Sequence, residues 1–203
     1  MSPARSTALR TRNNVAVALL ASALTVTSAG AAPDAQAGKV KAAVCGACHG
    51  EDGNSASEAF PSLAGQPPLY VYYQLLQFRE GRRKDPAMTA IAAPLSDADM
   101  KDLGAYFTAQ VPRVPAKALE PAQIEAGKAI AARNHCGSCH MPDYSGQKHI
   151  PRLAGQHYDY LVKELRGFKT GSRPDIDGTM ASSAQPLTDK DITDMAAYLT
   201  GLK

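Results

Sequence analysis

Two short stretches of the chain set a pair of thiols beside an imidazole: Val-Cys-Gly-Ala-Cys-His-Gly at 44–50 and His-Cys-Gly-Ser-Cys-His at 135–140. In each, the two cysteines stand three apart and a histidine, His49 or His140, follows directly. Three chemistries use this spacing. A zinc ribbon needs a second C-x-x-C pair within about 15–20 residues, but Cys45 and Cys136 lie 91 positions apart. A thioredoxin-type disulfide sits at a helix start in a fold with strands, and no alternating apolar run here suggests a strand. Covalent haem attachment fits both copies: Cys45 with Cys48, and Cys136 with Cys139, would add to the vinyl groups. The adjacent histidine would reach the iron from one side.

The duplication extends far beyond the cysteines. Ala37-Gly38-Lys39 returns at Ala126–Lys128, Phe-Pro-Ser-Leu-Ala-Gly-Gln (60–66) returns as Ile-Pro-Arg-Leu-Ala-Gly-Gln (150–156), and Tyr70, Phe78, Gly81 and Arg83 match Tyr160, Phe168, Gly171 and Arg173. The stretch 93–108 returns at 185–200, and the offset stays between 89 and 92 throughout. One small domain is therefore present twice.

A six-coordinate haem needs a second axial ligand, and methionine or histidine are the candidates. Met88 and Met180 stand at equivalent places, 39 and 40 residues after His49 and His140. They are expected in loops between a middle and a final helix, where a thioether can swing toward iron. Met100 and Met195 read as flexible core fillers on the final helices, and Met141 follows His140 too closely to reach the opposite face. His135, His149 and His157 read as surface residues, because copy one carries Val44, Ala59 and Pro67 there.

Helices must position these groups. Lys39–Val44 and Glu125–Asn134 read as short Ala-rich helices that end at the cysteine motifs, and 69–80 and 158–169 carry apolar residues at helical spacing until Gly81 and Gly171 stop them. Ser96 with Asp99, and Thr188 with Asp191, have capping-box spacing before the last helices. Pro112, Pro115 and Pro121 disfavour regular structure between the copies. About 75–90 residues per copy make a thin core, which a large buried cofactor would complete.

The amino terminus reads as an export signal of the general secretion route. Arg5, Arg10 and Arg12 precede an uncharged stretch at 15–29, followed by two small-residue cleavage patterns, Ala29-Gly30-Ala31 and Ala35-Gln36-Ala37. Residues 1–37 hold three arginines and one aspartate, so the 22 basic and 19 acidic side chains become 19 and 18 in the remainder. A near-neutral body gives no electrostatic case for nucleic acid. The expected division is 1–37 signal peptide, 38–111 first domain, 112–122 linker and 123–203 second domain.

C-x-x-C-H, then P-x-L-A-G, then a methionine before a final helix resembles class I cytochromes c. Two such domains in tandem, with Ala42–Ser55 and Phe60–Gln66 as they stand, resemble the diheme cytochrome c4 family over Gly38–Lys203. The resemblance implies an all-α fold of two domains related by a pseudo-twofold axis, each wrapped around one covalent haem c. It implies a monomeric periplasmic carrier, soluble or loosely membrane-associated, passing single electrons from a membrane-bound respiratory donor to a terminal oxidase. Cys45 and Cys48 would hold one haem with His49 and Met88 axial; Cys136 and Cys139 the other with His140 and Met180 axial. The carbonyls of Pro61 and Pro151 would accept from the axial histidines, Tyr106 and Tyr198 would pack where first and last helices cross, and Arg83 and Arg173 would face haem propionates or solvent. Two six-coordinate irons leave no open position, so an electron carrier and not an enzyme is expected. The rivals are a diheme subunit of a periplasmic dehydrogenase, such as a flavin-dependent sulfide oxidiser, and a diheme peroxidase.

Overall fold

In the computed structural model, described for Met1, Pro3, Ala4 and 32–203, copy one holds α1 (Ala35–Lys41), α2 (Gly46–His49), α3 (Pro68–Arg79), α4 (Pro86–Ala92) and α5 (Asp97–Thr108). Copy two holds α6 (Pro121–Arg133), α7 (Cys136–His140), α8 (Tyr158–Thr170), α9 (Thr179–Ala184) and α10 (Asp189–Thr200). Among the described residues there is no strand, only an isolated bridge between Gln147 and Ile150. The uncharged stretch read as a leader, 15–29, lies outside the described residues. Residues 32–203 form one compact unit that contains both copies.

The helix starts follow from local chemistry. The Ser96 hydroxyl accepts from Asp99 N (3.1 Å) while the Asp99 carboxylate accepts from Ser96 N (2.9 Å), which opens α5. Thr188 and Asp191 repeat this at 3.1 and 2.8 Å before α10, so both boxes form as their spacing predicts. Pro68, Pro86 and Pro121 each sit in a first turn, where the missing N–H has no helical partner to lose. Pro121 therefore begins a helix, where the sequence reading had it in the linker. The extended connection covers 111–120.

In each copy the first helix crosses the last, α1 over α5 and α6 over α10, while α3 packs on α5 and α8 on α10. Val71, Leu75 and Phe78 meet Met100, Leu103 and Phe107 in copy one. In copy two Leu161, Leu165 and Phe168 meet Ile192, Met195 and Leu199. Met100 and Met195 are thus core residues, as expected. Helix α1 starts earlier than 38: Asp34 caps it by accepting from Gln36 N and Ala37 N, and the Asp34 N–H reaches Asp102 Oδ1 at 2.8 Å. Residues 35–37, expected to close the signal peptide, thus form the first turn of a helix that packs on α5.

The two copies meet through reciprocal bonds between equivalent positions, Gln66 with Arg152 and Gln156 with Ser62, which is a pseudo-twofold relation, and the connecting segment is tied to both. Val111 O accepts from Asn54 Nδ2 (3.0 Å), Arg113 N donates to Asn54 Oδ1 (2.8 Å), and Lys117 Nζ reaches Glu58 (2.6 Å) in copy one and Asp159 (3.8 Å) in copy two.

Two candidate haem centres

His49 closes α2 and His140 closes α7, with exposures of 6% and 5%. Their Nδ1 atoms lie 2.8 Å from Pro61 O and 2.9 Å from Pro151 O. A carbonyl can only accept, so Nδ1 carries the proton and the lone pair is left on Nε2. Burial pushes both imidazoles below the ordinary histidine range, with the proline carbonyl opposing it in part. Burial thus favours the neutral ring that a metal ligand requires.

Met88 lines the same cleft as Cys45, Cys48 and His49, and Met180 lines the same cleft as Cys136, Cys139 and His140. Neither methionine is in a loop, which corrects the sequence reading: Met88 lies in the first turn of α4 and Met180 in the first turn of α9. Pro86 and Gly178 looked like breakers, yet one occupies a first-turn position and the other is the N-cap. Asp85 Oδ1 accepts from Met88 N at 3.1 Å, and Asp175 Oδ2 accepts from Met180 N at 2.5 Å and from Ala181 N at 3.3 Å. Each methionine is thus presented from a pinned backbone. Cys45 and Cys136 are half-buried, and that burial pushes their thiols up; Cys48 and Cys139 are exposed at the rim.

The copy-two cavity measures about 370 Å³ and the copy-one cavity about 170 Å³. Gln66, Tyr70, Gln74, Gln156 and Tyr160 line both, so a single layer of side chains separates the two clefts. Beside that layer lies a buried ionic cluster. Glu164 accepts from Arg83 (3.0 Å) and Arg173 (2.5 Å), and Gln74 Oε1 accepts from the same two at 2.6 and 3.4 Å. The two guanidinium side chains retain only 12% and 13% exposure and stack over Phe78 and Phe168. Of the two positions considered for Arg83 and Arg173, solvated surface is therefore excluded.

These residues fit a haem. The apolar clefts offer two thiols, a neutral imidazole and a thioether each. The ionic cluster sets two guanidiniums against one carboxylate, and the Nε atoms of Arg173 and Arg152, both at the copy-two cleft, are buried without a partner. Asp175 and Asp177 also line that cleft but spend oxygens on the first turn of α9. Unpartnered cationic donors at the edge of an apolar cleft suit the carboxylates of a porphyrin. Among the described residues no three His, Cys, Asp or Glu side chains converge as a closed zinc site would require.

The remaining histidines divide. His135 is exposed, in a left-handed conformation with φ 55°. His149 is half-buried and meets the Tyr73 ring edge-on at 6.3 Å across the interface. His157 is 4% exposed and its Nε2 contacts Ser55 O at 2.9 Å. The surface reading of His157 is thus wrong: it stands at the junction of the copies, which a comparison between repeats could not reveal. The roles of Gln66, Gln156, Gln74 and Glu164 at that junction also escaped the sequence. Gln66 and Gln156 repeat visibly, but a repeat cannot distinguish an interface from a core.

Two family models match the chain, "Cytochrome C oxidase, cbb3-type, subunit III" over residues 32–107 and "Cytochrome c" over 124–203. The chain is 42% identical to cytochrome c4 of Azotobacter vinelandii over 193 residues, covering 85% of this chain and 90% of that protein. It is 33% identical to the thiosulfate dehydrogenase electron acceptor of Stutzerimonas stutzeri strain A1501, covering 87% of this chain and 83% of that one. The crystal structure of reduced recombinant cytochrome c4 from Pseudomonas stutzeri superposes with a TM-score of 0.79 at 37% identity, covering 85% of this chain and all of that one. With two cytochrome c domains, a C-x-x-C-H motif in each and this likeness along its length, the chain belongs to the cytochrome c4 family of electron carriers with two covalent haems c.

Proposed function

We propose that this chain is a periplasmic shuttle that accepts single electrons from a membrane-bound respiratory donor and delivers them to a terminal oxidase. Cys45, Cys48, His49 and Met88 hold one haem; Cys136, Cys139, His140 and Met180 hold the other. Bound haem supplies a one-electron Fe(III)/Fe(II) couple whose potential methionine ligation and burial raise. The chain's own residues do the rest. Pro61 and Pro151 fix the histidine rings, α4 and α9 present the thioethers, and the clefts exclude water from both.

The observation that carries this reading is the shared wall of Gln66, Tyr70, Gln74, Gln156 and Tyr160. Two redox centres on either side of one side-chain layer exchange electrons internally, so donor and acceptor can dock at opposite domains. Among the described residues no helix is long and apolar enough to cross a membrane. Asp34 and α1 are part of the first domain, which favours cleavage after Ala31 and not after Ala37. The near-neutral body favours weak contacts that exchange quickly, made by the protein as a monomer. Mass spectrometry and absorption of the exported protein test the site reading: a mature chain beginning at Ala32 with two added haems, and a weak far-red band when oxidised. One haem, or a spectrum of bis-histidine type, would sink the ligand assignment.

The likeness to a thiosulfate dehydrogenase electron acceptor favours a second donor class, a periplasmic sulfur-compound dehydrogenase. Rapid-mixing reduction separates the two donors. Faster reduction by thiosulfate dehydrogenase with thiosulfate than by a quinol-oxidising complex would select the second reading.

A further inference from the structure

We propose that Gln66 and Gln156 are positioning residues that act in a crossed manner, each tuning the axial histidine of the opposite domain. Gln156 Oε1 accepts from Ser62 N at 2.8 Å while its Nε2 donates to Ser62 O at 2.9 Å. Gln66 Oε1 accepts from Arg152 N at 3.0 Å while its Nε2 donates to Arg152 O at 2.9 Å. Both glutamines are buried, at 3% and 4% exposure, so water does not compete for these bonds. Gln156 Oε1 also accepts from the adjacent His157 N at 3.0 Å.

The clamped residue is the one that follows each haem-site proline. Ser62 N and Pro61 O are the two ends of one planar peptide unit, as are Arg152 N and Pro151 O. Pro61 O accepts from His49 and Pro151 O from His140. One continuous chain therefore runs from Gln156 Oε1 through the 61–62 peptide to His49 Nδ1, and its twin runs from Gln66 Oε1 through the 151–152 peptide to His140 Nδ1. Accepting a hydrogen bond from the peptide N–H polarises that peptide and makes its carbonyl a better acceptor. A stronger acceptor at Nδ1–H raises the basicity of Nε2 and favours ferric over ferrous iron. Docking of the domains, through two neutral side chains, thereby holds each potential down.

The inference rests on the assignment of His49 and His140 as axial ligands. The test uses the holoprotein, with Met88→Ala and Met180→Ala variants to assign each redox wave to its domain. Gln156→Met removes the amide at nearly constant volume. It should raise the potential of the copy-one centre alone, on the order of threefold in the reduced-to-oxidised ratio at fixed potential, roughly 28 mV at 59 mV per tenfold. Gln66→Met should do the same to the copy-two centre alone. Hydrogen exchange at the axial Nδ1–H, followed by NMR in the reduced state, should quicken for His49 in the first variant and for His140 in the second. If a methionine variant loses haem or its far-red band, Gln156→Asn or Gln66→Asn, one methylene too short to span both bonds, takes its place. Shifts in the variant's own domain, equal shifts in both, or no shift would overturn the inference. A wild-type protein without two His/Met haems would instead overturn the ligand assignment beneath it.

Discussion

Gly38 lies against the carbonyl oxygen of Asp102, at a separation that a Cβ on Gly38 would overlap, and Gly127 meets Asp194 O in the same way. The same hypothetical Cβ atoms would also press on Cβ of Tyr106 and Tyr198. The Ala-Gly-Lys repeat is therefore the point where first and last helices cross at backbone contact, with the two tyrosines packed beside it. Gly38→Ala and Gly127→Ala should each destabilise the fold by about 1–3 kcal/mol, read as a lowered urea midpoint of the holoprotein. Gly81→Ala meets nothing within 4 Å and strains only a left-handed φ of +67°. It should cost about 1 kcal/mol. Equal losses at the crossing and at Gly81 would show that the close approach does not matter.

The capping boxes predict a pH dependence. Asp99 is held below the ordinary carboxylate range first by Lys41 and then by Ser96, and Asp191 by Thr188 and its backbone N–H. A group whose folded pKa is depressed adds stability that is complete above its unfolded pKa of 3.8. That stability is lost as pH falls below this value toward the folded one. Asp191→Ala should cost about 1 kcal/mol near neutrality, and the loss should shrink on acidification because the wild type weakens too. Asp99→Ala should cost more, since Lys41 Nζ bonds Asp99 at 2.7 Å and ties α1 to α5. Urea midpoints taken between roughly pH 6 and pH 3 check both statements.

The methionines can be removed one at a time. Met180→Ala should leave a high-spin component, abolish about half of the far-red absorption of the oxidised protein and leave the copy-one centre in place. Met88→Ala should give the converse. Met100→Leu, in a core position with 0% exposure, should leave the band intact at a cost below about 1.5 kcal/mol. Loss of the band in Met100→Leu would mean that the ligand had been misassigned.

The contrast between what was legible and what was not follows from chemistry. Cysteine spacing, capping boxes and the doubled P-x-L-A-G-Q stretch are local, so they could be read directly, and the His–Pro bond followed from resemblance. Helices α4 and α9 were missed because Pro86 and Gly178 signal a break and a helix start equally well; only the Asp85 and Asp175 bonds decide. The burial of His157 and the charge cluster at Glu164 depend on how two domains dock. A repeat contains its members' shared core, and it carries no record of their mutual face.

That face should also break the symmetry of the two redox centres. Gln74 and Glu164 occupy equivalent positions, ninety apart, and each accepts from both Arg83 and Arg173. Only Glu164 brings a charge, and it lines only the copy-two cleft, whereas Gln74 lines both. A negative charge nearby favours ferric iron, so Glu164 should hold the copy-two potential down more than the copy-one potential. The differing charges of 82–87 and 172–179 should also make the two potentials unequal. Glu164→Gln should raise both potentials, the copy-two value more, on the order of tens of millivolts for a charge at this range. It should also destabilise the docked domains, because two buried guanidiniums lose their carboxylate, at a cost of about 3 kcal/mol. Gln74→Glu should lower both potentials by similar amounts, since it adds a second carboxylate in the shared wall. Spectroelectrochemical titration of the three proteins measures this directly. Two coincident wild-type potentials, or a Glu164→Gln shift confined to copy one, would contradict the assignment of Glu164 as the charge that separates the centres.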